Sequence, residues 1–428
     1  MTEAFLHYVW QFQYFDKTDL RTTDGDPVSV FNAGYRNTHA GPDFFNAKVR
    51  IGGIDWAGSA EIHIQSSGWT DHRHDEDDAY ENVILHVVWN EDKKIRRSDH
   101  SLLPTIELKH RVSEKLLLQY RKLVNDPQQI PCAPFLPGIA SLTQLSMLDK
   151  ALMQRLEAKA TRIQATLARN NNDWDETTYQ MLCKNFGFKV NAEPFEQLAQ
   201  SLPYKVLLKH ADQPVQVEAM IFGQAGFLDG GGEDDYFLLL KREYALLGKK
   251  FNLYTSRLNR AQWKFMRLRP ANFPTLRLAQ LSALIGNRKN IFSQLVEAAS
   301  YSDLHALFSV AQSSYWQHHY QFFKPVSEAV PSMGTMSIDN IIINTVVPLL
   351  VAHGKEKDEQ DLVDRAVEIL QQVATEDNAI IRSWKALGIK STSAGDSQAL
   401  IELHNSFCLK RRCLDCNIGF SIIQPSHA

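Results

Sequence analysis

The chain has 428 residues, 44% hydrophobic and 22% charged, with a formal net charge of −3. That length predicts two or three domains with ample apolar material for a core, and the near-neutral charge excludes attraction to nucleic acid by the overall field, so any such binding must use a local patch. No run approaches the roughly 20 apolar residues that span a bilayer, and the opening MTEAFLHYVWQF has no basic n-region and no small-residue cleavage site, so the expectation is a cytoplasmic protein, with no membrane partner, whose five cysteines include three crowded near the C-terminus that bind metal rather than form disulfides, and Cys183 in a helical run that packs as a buried small hydrophobe.

Residues 2–15 carry Phe5, Leu6, Val9, Trp10 and Phe12 at helical spacing. Asp24-Gly25-Asp26-Pro27 reads as a turn. Strands are expected at 28–31, 43–51 and 55–65, with Gly52-Gly53 turning the second into the third. The polar stretch 74–82 predicts a short helix, and the apolar run from Val83 to Trp89 a strand covered on both faces. Residues 105–109 add an edge strand. From about Val112 the pattern turns helical, after which Pro127, Pro131, Pro134 and Pro137 space out a linker-like stretch. Leu145, Leu148, Leu152, Leu156, Ile163 and Leu167 mark one face of a long helix. Further helices are expected at 235–247, 258–268, 276–284, 292–299 and 361–374. Asp229-Gly230-Gly231-Gly232-Glu233 is glycine-rich but acidic and would repel phosphate. The expected architecture is an α+β N-terminal domain with a small mixed sheet over 1–111, then a mainly α-helical part over 112–428 ending in a cysteine-rich tail.

Chemistry concentrates in the first domain. Gly41-Pro42-Asp43-Phe44 opens the second strand, and Glu61-Ile62-His63 lies in the third. Strand alternation puts Glu61 and His63 on one face, and pairing of the two strands brings Asp43 toward Glu61. Two carboxylates held together repel, and a divalent cation between them removes that cost. It also lowers the pKa of a bound water and neutralises charge on a scissile phosphate, while a third polar group orients or deprotonates that water. The plain alternative is a turn-capping Asp43 and a solvated face carrying Glu61 and His63. Eight of the 15 histidines fall in the first 110 residues. His72-x-His74 offers a transition-metal pair that His86 or Glu61 completes; otherwise these histidines line a cleft, and His86 is a hydrogen-bonded core residue.

The order helix, strand, strand, strand, helix, strand, with Pro42-Asp43 and Glu61-x-His63, resembles the core of PD-(D/E)xK nucleases. The resemblance implies a restriction-endonuclease-like fold in which Asp43 and Glu61 bind Mg²⁺ or Mn²⁺, with Glu3 a loose match to the acidic or amide residue of the family's first helix. His63 stands where that family has lysine, so the fixed positive charge is missing. Over most of its length the chain also resembles a bacterial family known only as a domain of unknown function, through Gly41 to Phe44, Glu61 to His63, Ala79-Tyr80 to Trp89, Arg267-Leu268-Arg269-Pro270-Ala271-Asn272-Phe273-Pro274 and the cysteine tail.

Two further groups are candidates. Arg257, Arg260, Lys264 and Arg267, spaced three, four and three, share one face of the helix expected there, a face suited to a phosphate backbone or simply to solvent. In the tail, His404, Cys408, Cys413 and Cys416 make a closed Zn²⁺ set. Alternatively Cys132 supplies a fourth thiolate, for Zn²⁺ or an iron–sulfur cluster; some PD-(D/E)xK nucleases combine one remote and three clustered cysteines in this way. The leading expectation is a metal-dependent phosphodiester hydrolase acting on DNA or RNA, with His72, His74 and His86 lining its cleft. The alternatives are a non-catalytic nucleic-acid-binding or scaffold protein on a degenerate nuclease fold, and a Zn-dependent small-molecule hydrolase.

Overall fold

The computed structural model describes residues 1–424. The chain is α+β, with a curled mixed sheet near its N-terminus and helices thereafter. It divides into two compact units: Met1–Met147 with Leu403–Ala428, and Leu148–Glu402. The first unit therefore extends past residue 111 to take in α3 (Glu114–Val124), the proline-spaced stretch and the cysteine tail.

Helix α1 (Glu3–Gln11) is capped by the Thr2 hydroxyl, which accepts the Phe5 N–H, a contact that contributes about 1 kcal/mol. It buries Phe5, Leu6, Val9 and Trp10 against the sheet, and the Trp10 indole donates to the Ala33 carbonyl. The strands are β1 (Val28–Asn32), β2 (Tyr35–Arg36), β3 (Phe44–Ile51), β4 (Ile54–Gln65), β5 (Val83–Asn90) and β6 (Thr105–Glu107). They run in the order β1-β3-β4-β5-β6, with β2 beside β3. β1, β3 and β4 are antiparallel neighbours, whereas β4, β5 and β6 are parallel. The switch follows from the connections. Gly52 and Gly53, both at positive φ, turn β3 tightly into β4, whereas parallel β4 and β5 need a crossover. That crossover is α2 (Gly68–Asp71) followed by two 3₁₀ turns, His74–Glu76 and Asp78–Tyr80. The single helix expected at 74–82 is thus broken, because Arg73 adopts φ 57° and Asp77 caps the second turn by accepting the Ala79 N–H.

β4 leaves solvent as it becomes central: Ile54 to Ala57 are exposed, and Gly58 to His63 buried. β5 is buried on both faces from Val83 to Val88, as its apolar run predicts.

The helical unit packs around one core that includes Phe186, Phe195, Phe222, Trp316 and Ile341. Part of the long helix α4 (Ser141–Arg169) belongs to it. Helices also form at Asp235–Lys250, Pro274–Asn287, Ile291–Glu297 and Gln360–Gln372, close to the expected places. No helix forms over 258–268; this segment holds only the 3₁₀ turn Arg260–Gln262. One expectation about apolar runs is corrected: Thr335–Lys357 forms a helix long and apolar enough to cross a membrane by length and composition, although 67% of its apolar window is buried inside the chain.

Candidate metal centre

Asp43 stands just before β3, in a loop fastened by the Asn37 side-chain amide, which donates to the Ala40 and Pro42 carbonyls. Glu61 lies in the buried half of β4. The two carboxylates lock the strands together reciprocally. Glu61 Oε2 accepts the Asp43 N–H at 2.9 Å, and Asp43 Oδ2 accepts the Ile62 N–H at 3.0 Å. This is the approach that strand pairing predicts.

Histidines surround the pair. His63 follows Glu61 on the same face of β4 and is 2% exposed. Its Nδ1 meets His86 Nε2 at 2.9 Å, and its Nε2 meets His72 Nδ1 at 3.3 Å. His74 Nε2 stands 3.2 Å from Glu61 Oε1, its ring stacked on Tyr80 at 3.8 Å. The left-handed turn at Arg73 lets His72 and His74 converge although only one residue separates them. Among the described residues, His63, His72 and His74 are the group whose ligand atoms all lie within 4.8 Å of one another. The site is closed below by His63 and His86 and opens at exposed His72.

Sequence reasoning missed the residue that α1 contributes. His7 Nε2 stands 3.1 Å from Asp43 Oδ2. That is ion-pair distance, but the geometry is not that of a hydrogen bond, and both buried ring nitrogens of His7 lack a hydrogen-bond partner. Glu3, one helical turn earlier, makes no ion pair or hydrogen bond to the site among the described residues. His86 is also relocated. It does not line a cleft; it is fully buried behind His63.

Burial sets the electrostatics. It raises the Glu61 carboxyl, with the nearby His74 ring opposing. Burial, reinforced by His74 and His72, pushes His63 down to about 4, and burial holds His86 well below the ordinary range. Both rings are therefore neutral at pH 7, the form that ligates metal. Only one nitrogen of each neutral imidazole carries hydrogen. In the tautomer whose Nδ1–H donates to His86 Nε2, His63 keeps a lone pair on Nε2, which faces His72 and Glu61. A ligating histidine is held in this way by a bond from its other nitrogen.

The donor set fits a metal. Buried polar atoms are costly when left unpaired, yet His74 Nε2, His86 Nδ1, Trp69 Nε1 and both His7 nitrogens lack hydrogen-bond partners. Asp43, Glu61, His63, His72 and His74 would hold the ion. A mixed imidazole–carboxylate set favours Mn²⁺ or Zn²⁺ over Mg²⁺, which prefers oxygen ligands.

Gly68 makes room for this arrangement. A Cβ there would lie 2.7 Å from His63 Cδ2 and 3.0 Å from Cγ, and the His63 ring is pinned by His86. Gly68→Ala is expected to turn the ring and weaken Zn²⁺ or Mn²⁺ binding by roughly tenfold or more, read by titration against the thermal midpoint. Unaltered affinity would remove His63 from the ligand set.

The four basic residues do not share a helical face. Arg257 pairs with Asp229 at 2.8 Å, and the Arg260 guanidinium lies 5.8 Å from the Phe227 ring centre. Lys264 exchanges two backbone hydrogen bonds with the Asn191 side chain, and Arg267 sits at φ 62°. In the tail, Cys408, Cys413 and Cys416 line one pocket with Cys132. Burial raises the thiols, Cys132 to about 12 and Cys413 to about 11, with neighbouring cysteines adding to the effect. His404 does not line that pocket; its ring nitrogens meet Asn405 and Gln129.

A family of proteins of unknown function, DUF2851, matches residues 3–379, and the chain belongs to it. No curated protein and no solved structure matches the chain.

Proposed function

We propose that this member of the DUF2851 family is a metal-dependent hydrolase of phosphodiester bonds in nucleic acid, acting through Asp43, Glu61 and the histidines around them. The observation that carries this reading is a pair of interlocked carboxylates beside three histidines whose ligand atoms lie within 4.8 Å of one another, with His74 Nε2 3.2 Å from Glu61. The order α1, β1, β3, β4, helical crossover, β5 supports a restriction-endonuclease-like core, with Asp43 at the head of one strand and Glu61-x-His63 in the next.

The bound ion supplies a charge that activates water and steadies the developing negative charge. The protein's own groups do the rest. Asp43 and Glu61 are held by each other's strand, so the site pays little reorganisation on binding. His63 is too enclosed to replace the family's lysine as a mobile base. His7, beside Asp43 and without a hydrogen-bond partner, is the group that accepts the proton of the attacking water.

A polymeric substrate is favoured over a small molecule by the surface beside the site. β3 exposes Lys48 opposite Ala57 and Arg50 opposite Asp55, whose carboxylate already accepts two hydrogen bonds from the Arg50 guanidinium, leaving Lys48 as the unpaired cation of the two among the described residues. These two β4 residues alternate onto the same face as Glu61 and His63. Arg50 lies 5.4 Å from the exposed Phe31 ring, and Tyr35 pairs with Phe45 across β2 and β3, both exposed. Cations interleaved with exposed rings suit an unpaired strand, where stacking contributes ~1–3 kcal/mol per base.

The test is cleavage of labelled single- and double-stranded DNA and RNA with Mn²⁺, Zn²⁺ or Mg²⁺, using wild type, Asp43→Ala and His7→Gln. Asp43→Ala should abolish cleavage. His7→Gln should slow it ~100-fold or more while leaving metal affinity unchanged. Absence of cleavage with every metal and substrate would overturn the hydrolase reading in favour of a binding protein.

A further inference from the structure

Four of the five cysteines, three from the tail and the distant Cys132, meet at one place. Cys132 precedes the 3₁₀ turn Ala133–Gly138. Cys408 ends the π-helical turn Leu403–Cys408, Cys413 opens the turn Cys413–Asp415, and Cys416 precedes the last helix, Asn417–Ile423. Their pocket is completed by Pro131, Phe407, Arg412 and Gly419. Each of the four is 6–8% exposed, and none forms a disulfide. A buried thiol packs as a small hydrophobe and gains nothing from the company of three others. Convergence of four is explained by a shared ligand that needs sulfur.

The spacing chooses among sulfur-loving centres. Cys408-x₄-Cys413-x₂-Cys416 with one remote cysteine is an iron–sulfur spacing, whereas structural zinc uses two C-x₂₋₄-C pairs. Nearby cations offset the charge of four thiolates: Arg412 lines the pocket, and Arg411 donates to the Cys408, Asp126 and Gln128 carbonyls, tying the tail to the stretch before Cys132.

We infer that Cys132, Cys408, Cys413 and Cys416 hold an iron–sulfur cluster. The cluster fastens the tail inside the N-terminal unit. There Phe420 packs edge-on against Tyr8 and Phe12 of α1, the helix that carries His7. Gly419 allows the close fit, since a Cβ there would stand 2.2 Å from the Cys413 carbonyl oxygen.

The inference is independent of the hydrolase reading. The full chain, purified without oxygen, is assayed for iron, acid-labile sulfide, zinc and visible absorption. Expected are about two or about four irons per chain with matching sulfide, and a colour that bleaches on reduction. Cys132→Ser and Cys408→Ser should lose most of both. Cys183→Ser, His404→Ala and Glu61→Gln should keep them, the last separating this iron from any at the histidine site. Should the cysteine variants fail to fold, the wild-type composition decides alone. Zinc at about one per chain without sulfide, or no sulfide-bearing iron after anaerobic reconstitution with ferrous iron and sulfide, would overturn the inference.

Discussion

Glu61→Gln is expected to cost cleavage on the order of a thousandfold, the loss of about 4 kcal/mol of transition-state stabilisation. The substitution keeps volume and shape, and an amide oxygen still accepts the Asp43 N–H that Glu61 Oε2 accepts now, so the β3–β4 pairing survives. What disappears is a buried negative charge facing His74 and His63. Without it, an ion among the three imidazoles keeps one carboxylate, Asp43, and affinity should fall by about a hundredfold or more. Single-turnover cleavage at saturating Mn²⁺ or Zn²⁺, set beside calorimetric titration of the same ion, separates the two losses. If saturating metal restores the wild-type rate, Glu61 only recruits the ion. If neither affinity nor rate moves, the Asp43–Glu61 pair is structural and the hydrolase reading fails.

The strands that carry this site were legible because their signal is local. Alternation across β4 places Glu61 and His63 on one face whatever the partners are, and Gly52-Gly53 specifies the hairpin that brings Asp43 opposite. His7 was hidden for the complementary reason: α1 announces the apolar face it buries, not what its border residue meets across the sheet. His86 occupies a position where strand pattern alone cannot distinguish a ligand from the residue holding a ligand; the parallel register that sets it opposite Glu61 decides. The segment 258–268 shows the limit of spacing arguments. Its charges recur at helical intervals, yet tertiary partners satisfy its backbone and anchors: the Leu258 N–H donates to the Gln224 carbonyl, the Trp263 indole to the Ala225 carbonyl, and the Lys264 N–H to Asn191. With those bonds made, a helix offers no advantage. In the tail, three cysteines were visible as a group, but the choice between Cys132 and His404 needed the fold.

The helical unit should become more stable as pH rises above neutrality, and Lys159 is the cause. Its stem is half-buried, but Nζ is enclosed, donating to the Asn344 and Gln398 side-chain oxygens at 3.0 Å each. Burial, with Arg155 nearby, pushes its pKa down to about 7 from 10.5, against the opposing pull of Glu376 and Glu402. Between those values the unfolded chain binds more protons than the folded one, so stability increases with pH across this window. The penalty is largest below pH 7, where the folded state must bury a charge, and it fades toward 10.5, where both states are neutral. At 1.36 kcal/mol per unit, the gain from pH 6 to pH 9 is about 2–3 kcal/mol, and less if the half-exposed stem lets water reach the ammonium. Lys159→Met keeps the stem and removes the proton. The variant should lose this slope and, despite leaving the Asn344 side-chain oxygen without its Lys159 donor (Gln398 keeps the Arg155 Nε–H), match or exceed the wild type at pH 6. Chemical denaturation of the full chain at pH 6, 7.5 and 9 provides the check, following the transition of the helical unit. Parallel slopes for the two proteins would mean that Lys159 stays charged in the fold, neutralised by Glu376 and Glu402 more fully than its enclosure suggests.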